Sequence, residues 1–470
     1  MAPPEGIGLC LAKTTKGKPI WKFNLLESVR TMKQITMFGI VVLTIGLCVS
    51  GAAAGLSIPT MLLDNDEIRV YRRSPTELWV YDMRPELGIG MHGMPDEQLS
   101  MVRALGIRLV RHTLYWRQME NSGQPGVYDS AYLARWDDLV SRCRQQGIEL
   151  EVVVHANPSE LGFTNRQQAY QRFARFMAAM AARYPTIRFW ELWNEMDVGF
   201  TDLFGAGVNG PDGRPIPMLQ RGKMYAEMLK LAYPAIKRAN PNAWILTGGM
   251  SDTGDFPRGI YEGGGKNYFD IMNIHTYGVP VRNSFIARGL HIYQVMKEFG
   301  DENRPLWNTE WGIDAGNLVA AWGWPHDRGE DDAEYFDQTH KAQWRAVLED
   351  HWRRPLYQKV LPYQFAANNE RQVGGEPQLP EGMTMNDFGF GIVRADGLTP
   401  RPTYNWLKQL QFNRYINHQP VRTMDVEVYL PDGAHPVGYE FSNKWREGIL
   451  IIHNVKVNSL YPTVIKLELP

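Results

Sequence analysis

The sequence predicts an α/β protein, a (β/α)8 TIM barrel with a small C-terminal β appendage. Between residues 87 and 411, short apolar runs alternate with longer amphipathic segments. This alternation predicts a parallel sheet covered by helices, and it supplies the eight strands that a barrel needs. An open doubly wound sheet is the alternative, but the sequence contains neither a Gly-x-Gly-x-x-Gly loop nor a P-loop to support it.

The predicted strands are apolar runs bounded by turn residues. Gly106 precedes the second strand, and Gly147 ends the helix before the third, because glycine adopts the left-handed conformation that terminates helices. The eight strands are predicted at residues 87–92, 107–112, 150–155, 189–195, 244–249, 268–275, 305–310 and 360–365.

Helices are predicted where apolar residues recur at helical spacing between the strands. In the segment 165–184, this spacing places Tyr170, Phe173, Phe176 and Met180 on one face. A long loop rich in Gly and Pro follows the fourth strand, and we expect it to border a cleft. The other helices are predicted at residues 96–105, 130–146, 223–239, 283–299, 331–351 and 402–410.

The segments outside the barrel differ from it in pattern. Residues 426–429 and 449–452 are short β-type runs with few helix signals around them. The chain is therefore predicted to comprise an N-terminal extension with a signal or anchor segment (1–54), a lead-in segment (55–86), the barrel (87–411) and a small β-strand appendage (412–470).

Residues 38–54 form an apolar run that ends in small residues, and Lys33 precedes it. This is the shape of a secretory signal, with Met32 rather than Met1 as a possible start. An uncleaved signal anchor is the alternative, since the run is close to the minimum length of a membrane span. Either way, we expect the folded part to be secreted or periplasmic, with a possible membrane anchor through 38–54.

Composition excludes several classes of function. The formal net charge is −1, so no strong field attracts nucleic acid or an anionic membrane. Of the three cysteines, Cys143 alone would remain after signal cleavage, and its helical spacing predicts a buried thiol rather than a disulfide or metal ligand. No cofactor and no metal are predicted.

Two glutamates end predicted strands that face each other across the barrel mouth. Glu195 ends the fourth strand and Glu310 the seventh, and active sites of these barrels lie at the C-terminal strand ends. Glycoside cleavage needs one protonated and one ionised carboxyl group. Two nearby carboxylates can supply both states, because each raises the pKa of the other. The pair predicts a glycosidase.

The motifs around these glutamates resemble those of clan A glycoside hydrolases, most closely family 39 and its exopolysaccharide-associated relatives. The resemblance spans about residues 87–412 and rests on three motifs: Trp193-Asn194-Glu195, Asn273-Ile274-His275-Thr276-Tyr277 and Asn308-Thr309-Glu310-Trp311-Gly312. It implies that Glu195 is the acid/base and Glu310 the nucleophile of a retaining enzyme, with carboxyl groups roughly 5–5.5 Å apart. One departure is Met196, where the family usually has proline.

The same resemblance implies roles for four further residues. Asn194 would bind the sugar 2-hydroxyl group. His275 and Tyr277 would lie beside the nucleophile and orient it, and Arg111 would keep it ionised. Independently, His155 ends the third strand and is expected to line the pocket, while Trp116 and Trp311 are expected to stack on sugar rings.

The expected substrate is an oligosaccharide or polysaccharide, and endo-acting cleavage of a β-linked polysaccharide is the favoured prediction. An exo-acting β-xylosidase-like enzyme is an alternative within the same class. A non-catalytic carbohydrate-binding barrel in polysaccharide assembly is an alternative from another class, disfavoured because both glutamates are present. A membrane-anchored interaction protein is a weaker third. The sequence predicts neither the sugar, the linkage nor the oligomeric state.

Overall fold

Parallel strands and outer helices alternate along the chain in the computed structural model. The structure describes residues 68–82, 86–121, 124–156, 165–198, 214–314, 331–353, 356–366, 389–409, 422–444, 448–457 and 462–470. All of these lie in one unit, Ser57–Pro470. The N-terminal extension 1–54, with its predicted signal or anchor, lies outside the described residues.

The strands of the described residues are, in chain order, β1 Ile68–Ser74, β2 Glu77–Asp82, β3 Glu86–Leu87, β4 Ile89–Gly90, β5 Leu109–Tyr115, β6 Glu149–His155, β7 Phe189–Asn194, β8 Trp244–Gly249, β9 Met272–Thr276, β10 Leu306–Trp311, β11 Lys359–Val360, β12 Arg422–Tyr429, β13 His435–Pro436, β14 Phe441–Asn443, β15 Ile449–Val457 and β16 Thr463–Glu468. The helices are α1 Asp96–Ala104, α2 Trp116–Met119, α3 Ser130–Gln145, α4 Arg166–Arg183, α5 Met218–Ala239, α6 Asp255–Glu262, α7 Val281–Glu298, α8 Asp331–Arg353 and α9 Pro402–Gln409.

The barrel consists of two parallel sheets that adjoin on both sides. One sheet has the order β4-β5-β6-β7-β8, and the other β3-β11-β10-β9. Gly88 alone separates β3 from β4, and its N–H donates to the carbonyl of Val360. On the far side, parallel bridges such as Leu246 with Ile271 connect β8 to β9. Strand order and the helices between strands thus confirm the predicted (β/α)8 fold.

The helices cover the outside of these strands with apolar faces. In α4, Asn165 caps the N-terminus by accepting a hydrogen bond from the Gln168 N–H, which satisfies one of the free amide groups at a helix start. Its apolar face includes Phe173 and Met177, both fully buried in the main core. Cys143 of α3 is buried in the same core, as predicted.

The lead-in segment and the C-terminal strands form a common β-structure. Strand β2 pairs with β1 and also with β16, from the end of the chain. The order of this sheet is β1-β2-β16-β13, and β12-β15-β14 form a second sheet. The lead-in segment and the C-terminal appendage, which were predicted as separate parts, therefore form one structure. Without β16, strand β2 would have an unpaired edge and an uncovered apolar face. Their side chains share one core, which includes Leu78, Val426, Ile452 and Ile465.

This β-structure packs on the N-terminal end of the barrel. Trp79 of β2 makes an edge contact with Trp244 at the start of β8, with ring centroids 4.7 Å apart. Tyr71 of β1 donates a hydrogen bond to Asp301 at 2.8 Å. The C-terminal end of the barrel, where the two glutamates lie, is therefore the opposite end from the β-structure.

Several local features differ from the predictions. The second barrel strand is Leu109–Tyr115 rather than 107–112, the sixth begins at Met272 rather than at residue 268, and the eighth is Lys359–Val360 rather than 360–365. Helices α2 and α6 were not predicted. Pro257 and Gly259 within α6 are poor helix formers, and the helix is short, so the sequence gives little indication of it. Across the described part of the chain, no helix combines the length and apolar character needed to cross a bilayer.

Candidate active site

Glu195 lies at the end of β7 on a backbone with unusual torsion angles. Trp193 has φ 80° and Glu195 φ 44°, a left-handed conformation that side-chain-bearing residues rarely adopt and that recurs at functional sites. The N–H of Glu195 donates to the Gly249 carbonyl at 2.8 Å, which ties the turn to β8. Its side chain is 17% exposed. The conformation turns Glu195 into the barrel mouth.

Glu310 of β10 is held by two donors. Arg111 Nη1 donates to Oε1 at 2.5 Å, and Tyr277 Oη donates to Oε2 at 2.8 Å. Burial alone would raise the pKa of Glu310, but the charges of His275 and Arg111 and the two hydrogen bonds outweigh it and lower the pKa to about 2. Glu310 is therefore ionised at neutral pH.

His275 lies between the two glutamates. Its Nδ1 is 2.9 Å from Glu195 Oε1 and 3.6 Å from Glu310 Oε2. Burial lowers the pKa of His275, but Glu310 and Glu195 together raise it above its ordinary value. One oxygen of each glutamate and one His275 nitrogen all lie within 4.8 Å of one another. This spacing lets two carboxyl groups act on one bond.

Arg111 connects the nucleophile candidate to the barrel interior. Its guanidinium donates to both oxygens of Glu191, at 2.8 and 3.1 Å, and to Asn194 Oδ1 at 2.8 Å. Glu151 Oε2 lies 3.3 Å from Arg111 Nε. Glu191 accepts a further bond from the Gly249 N–H at 2.7 Å. These contacts fix the position from which Arg111 reaches Glu310.

The structure brings most of the predicted residues together. Arg111 and Tyr277 contact Glu310 as expected, and one oxygen of Glu195 lies within 4.8 Å of one oxygen of Glu310. The catalytic roles of the two glutamates stay predictions. The prediction for His275 changes in one respect, because its hydrogen bond is to Glu195 rather than to Glu310.

Asn194 and His155 lie beside this cluster. The side-chain oxygen of Asn194 accepts a hydrogen bond from Arg111. The same guanidinium also donates to Glu310. His155 contacts the rings of Tyr115 and Trp193. Burial lowers the pKa of His155 to about 4, so it is neutral at neutral pH. Whether either residue binds sugar stays a prediction.

The expectation that Trp116 and Trp311 stack on sugars is wrong. Both are 0% exposed and belong to the main core. Trp116 packs against Phe173 and Phe176, and Trp311 against Trp344. Each follows the strand residue that faces the barrel mouth, so its side chain points outward to the helices.

Sequence reasoning missed Ser251, whose hydroxyl donates to Glu195 Oε1 at 3.3 Å. Because Ser251 lies just after β8, at a strand end like the other site residues, its position could have indicated a place in the site. Sequence reasoning also assigned no role to Glu151. Within the described residues, Glu195, His275 and Glu310 are also a group whose ligand atoms lie close enough to hold a metal ion. A cation there would have to compete with Arg111 for Glu310.

A protein-family model and solved structures are similar to this chain. Residues 90–350 match the family model of cellulase, glycosyl hydrolase family 5. No curated protein sequence matches the chain. A solved family 39 glycoside hydrolase from the gut symbiont Bacteroides cellulosilyticus is similar in fold, with a TM-score of 0.53, 16% identity, and 86% of this chain and 88% of that chain covered.

A glucosidase from Croceicoccus marinus matches with a TM-score of 0.49 and 14% identity, over 81% of this chain and 83% of that chain. At 16% identity, the family 39 structure is evidence of the fold alone, while the family model covers more than half of the chain. The predicted clan A resemblance is confirmed. The chain belongs to glycosyl hydrolase family 5, the cellulase family, and is a clan A glycosidase.

Proposed function

We propose that this glycosidase hydrolyses a β-linked polysaccharide with retention of configuration, using Glu195 as acid/base and Glu310 as nucleophile, and cuts within the chain. The observation that carries the proposal is the asymmetry of the carboxyl pair. Glu310 is bound by a guanidinium and a phenol, which favour its ionised form. Glu195 contacts His275 and the Ser251 hydroxyl.

In the first step, the Glu310 carboxylate attacks the anomeric carbon while the Glu195 carboxylic acid gives its proton to the departing oxygen. The C–O bond to the leaving sugar breaks, and a covalent glycosyl ester forms on Glu310. The separation of no more than 4.8 Å between one oxygen of each group supports attack by Glu310 itself. Inverting enzymes leave room for a water, with roughly 6.5–9.5 Å between the carboxyl groups.

In the second step, the Glu195 carboxylate takes a proton from water as that water attacks the same carbon. The ester breaks, Glu310 leaves as a carboxylate, and Glu195 is again protonated. Arg111 and Tyr277 stabilise the Glu310 carboxylate at the start and at the end of this cycle. His275 holds Glu195 Oε1 in place through both proton transfers.

The proposed substrate rests on the family. Its description names cellulase, an activity on a β-linked polysaccharide, and the carboxyl spacing suits β-glycosides as well as other linkages. The proposal of internal cleavage rests on the same family description. The length of the first products distinguishes it from the exo-acting alternative.

The test measures reducing-end release by the full chain from a panel of β-linked polysaccharides. We expect the wild type to cleave at least one polymer into oligosaccharides whose anomeric NMR signals are first those of the β-form. Glu195→Gln and Glu310→Gln should each lose several orders of magnitude in kcat. Glu349→Gln, on the outer face of α8, is the matched control and should retain activity.

Activity of Glu310→Gln equal to the wild type would reject the assignment. Release of single sugars only would replace internal cleavage by exo-action. Binding of a polymer without release by any variant would favour the carbohydrate-binding alternative.

We further propose that the protein acts outside the cytoplasm, secreted or periplasmic. The proposal rests on the apolar run 38–54 after Lys33. Mass spectrometry of the mature N-terminus tests it. A start near residue 55 supports export, whereas recovery of an intact 1–54 segment from the soluble cytoplasmic fraction contradicts it.

A further inference from the structure

Three carboxyl groups surround Arg111, and the mechanism above uses one of them. Glu310 and Glu191 each accept hydrogen bonds from the guanidinium. Glu151, on the neighbouring strand β6, is paired with Arg111 in the strand register and is 0% exposed. Arg111 therefore faces three buried or half-buried carboxyl groups. Even if His275 is counted as a second cation, it lies between Glu310 and a fourth carboxyl group, Glu195, so the cluster has excess negative charge unless protons are bound.

Glu151 is the member whose contacts do not suit a carboxylate. Arg111 Nε is 3.3 Å from its Oε2, yet neither of its oxygens accepts a hydrogen bond from any described residue. A buried ionised carboxylate without hydrogen bonds is very costly, and such a group usually becomes neutral instead. Glu191, by contrast, accepts bonds from Arg111 and from the Gly249 N–H.

The neighbour of Glu151 supplies a partner for a proton. Glu151 Oε2 and Glu191 Oε2 lie beside the same atom, Arg111 Nε, at 3.3 and 2.8 Å, so the two carboxyl groups are neighbours that a hydrogen bond can join. Two carboxylates are both acceptors and cannot form that bond, whereas an acid and a carboxylate can. Burial and then the charge of Glu191 raise the pKa of Glu151 well above its ordinary value, against the opposing attraction of Arg111.

We infer that Glu151 is a positioning residue that remains a neutral carboxylic acid, donating its proton in a hydrogen bond to Glu191 so that Arg111 is shared between Glu191 and Glu310 alone. The neutral acid adds no negative charge to compete with Glu310 for the guanidinium. It also gives Glu191 an additional donor, which fixes the carboxylate that orients Arg111. This role rests on the proposed function of Glu310, but the protonation state of Glu151 does not.

Infrared difference spectroscopy tests the protonation state directly. At pH 8, the wild-type spectrum minus that of Glu151→Gln should contain the C=O stretching band of a protonated carboxylic acid. Glu151→Asp, which keeps a carboxyl group, should retain such a band. The matched control, Glu349→Gln on the exposed face of α8, should remove no protonated-acid band. Loss of an ionised carboxylate band in the Glu151→Gln spectrum would overturn the inference.

Kinetics test the positioning role with two substitutions of similar size. Glu151→Met lacks a donor to Glu191 and should lower kcat about tenfold, the effect of one hydrogen bond to a charged group. Glu151→Gln still donates an N–H group and should restore most of that loss. Equal losses in both variants would mean that the negative charge matters, and no loss in either would remove the role; both results overturn it.

The two readouts separate this inference from the proposed function. If the full chain cleaves no polysaccharide, the infrared bands still report whether Glu151 carries a proton. If Glu151→Met does not fold, as circular dichroism would show, the wild-type and Glu151→Gln spectra still decide whether Glu151 carries a proton.

Discussion

Gly249 and His275 are so close that a Cβ atom on Gly249 would lie 1.9 Å from His275 Nε2. The absence of a side chain at the end of β8 is therefore what allows the imidazole to reach Glu195. We predict that Gly249→Ala displaces His275 and lowers kcat by about 100-fold, because misplacement of a catalytic group by 1 Å can have that effect. Steady-state kinetics with the polymer cleaved by the wild type would measure it.

Gly93→Ala is the control for this substitution, since the nearest atom to a Cβ there is 4.0 Å away. It should leave kcat within a few-fold of the wild type. Equal activity of both alanine variants would show that His275 does not need its observed position.

Tyr277→Phe removes one of the donors that keep Glu310 ionised. Without it, the pKa of Glu310 rises from about 2, so the nucleophile becomes protonated at a higher pH as the solution is acidified. We predict that the acid limb of the kcat/KM profile moves to higher pH and that kcat falls about tenfold. A profile from pH 3 to pH 8 measures both effects, and an unchanged acid limb would contradict the proposed contact.

Trp116→Ala tests the correction made to its role. Trp116 is buried against Phe173 and Phe176, and its indole N–H donates to Glu120 at 2.8 Å. We predict a fall of about 3–5 kcal/mol in the free energy of unfolding, as for other buried aromatic truncations. Urea denaturation measures it. A rise in KM without loss of stability would instead support sugar stacking.

We predict that the buried His340 makes the folded protein less stable at acidic pH. It is buried and hydrogen-bonded to Thr403 Oγ1 and the Phe390 carbonyl, and burial, with repulsion by Arg401, lowers its pKa from 6.5 to about 3. The unfolded chain binds a proton in that interval and the folded chain does not, so the free energy of unfolding falls as the pH falls from 6.5 towards 3.

Comparison of urea unfolding at pH 7 and pH 4 for the wild type and His340→Gln isolates this contribution. The variant should lose less stability between the two pH values, because glutamine does not titrate. An identical loss in both proteins would mean that His340 is not the group responsible.

Much of the fold and of the candidate site was predictable because the sequence patterns that indicate them each lie within one short segment of the chain. The apolar run ending in Glu195 and the one ending in Glu310 are single strands, and barrel geometry places both ends at one mouth. Arg111 and Tyr277 then followed from the family resemblance, and their contacts with Glu310 agree with it.

The rest depended on contacts between distant residues. Strand alternation from Glu310 could already have placed Trp311 on the outer face, whereas the burial of Trp116, at the start of α2, depends on Phe173 and Phe176 of the distant helix α4. The proximity of Gly249 to His275, and of Glu151 to Arg111, depends on strand register. The pairing of β2 with β16 joins two ends of the chain whose partners no local pattern specifies.

That last pairing affects biosynthesis. Val80 of β2 lies opposite Thr463 of β16, near the two ends of the described chain. While the chain emerges from the ribosome, the barrel strands can assemble, but the edge of β2 stays without its neighbour until β16 is translated. Contacts of such long sequence separation form late and slowly. A stop codon shortly before Thr463 would therefore leave nascent chains with an open strand edge, prone to self-association, even though every active-site residue had been made.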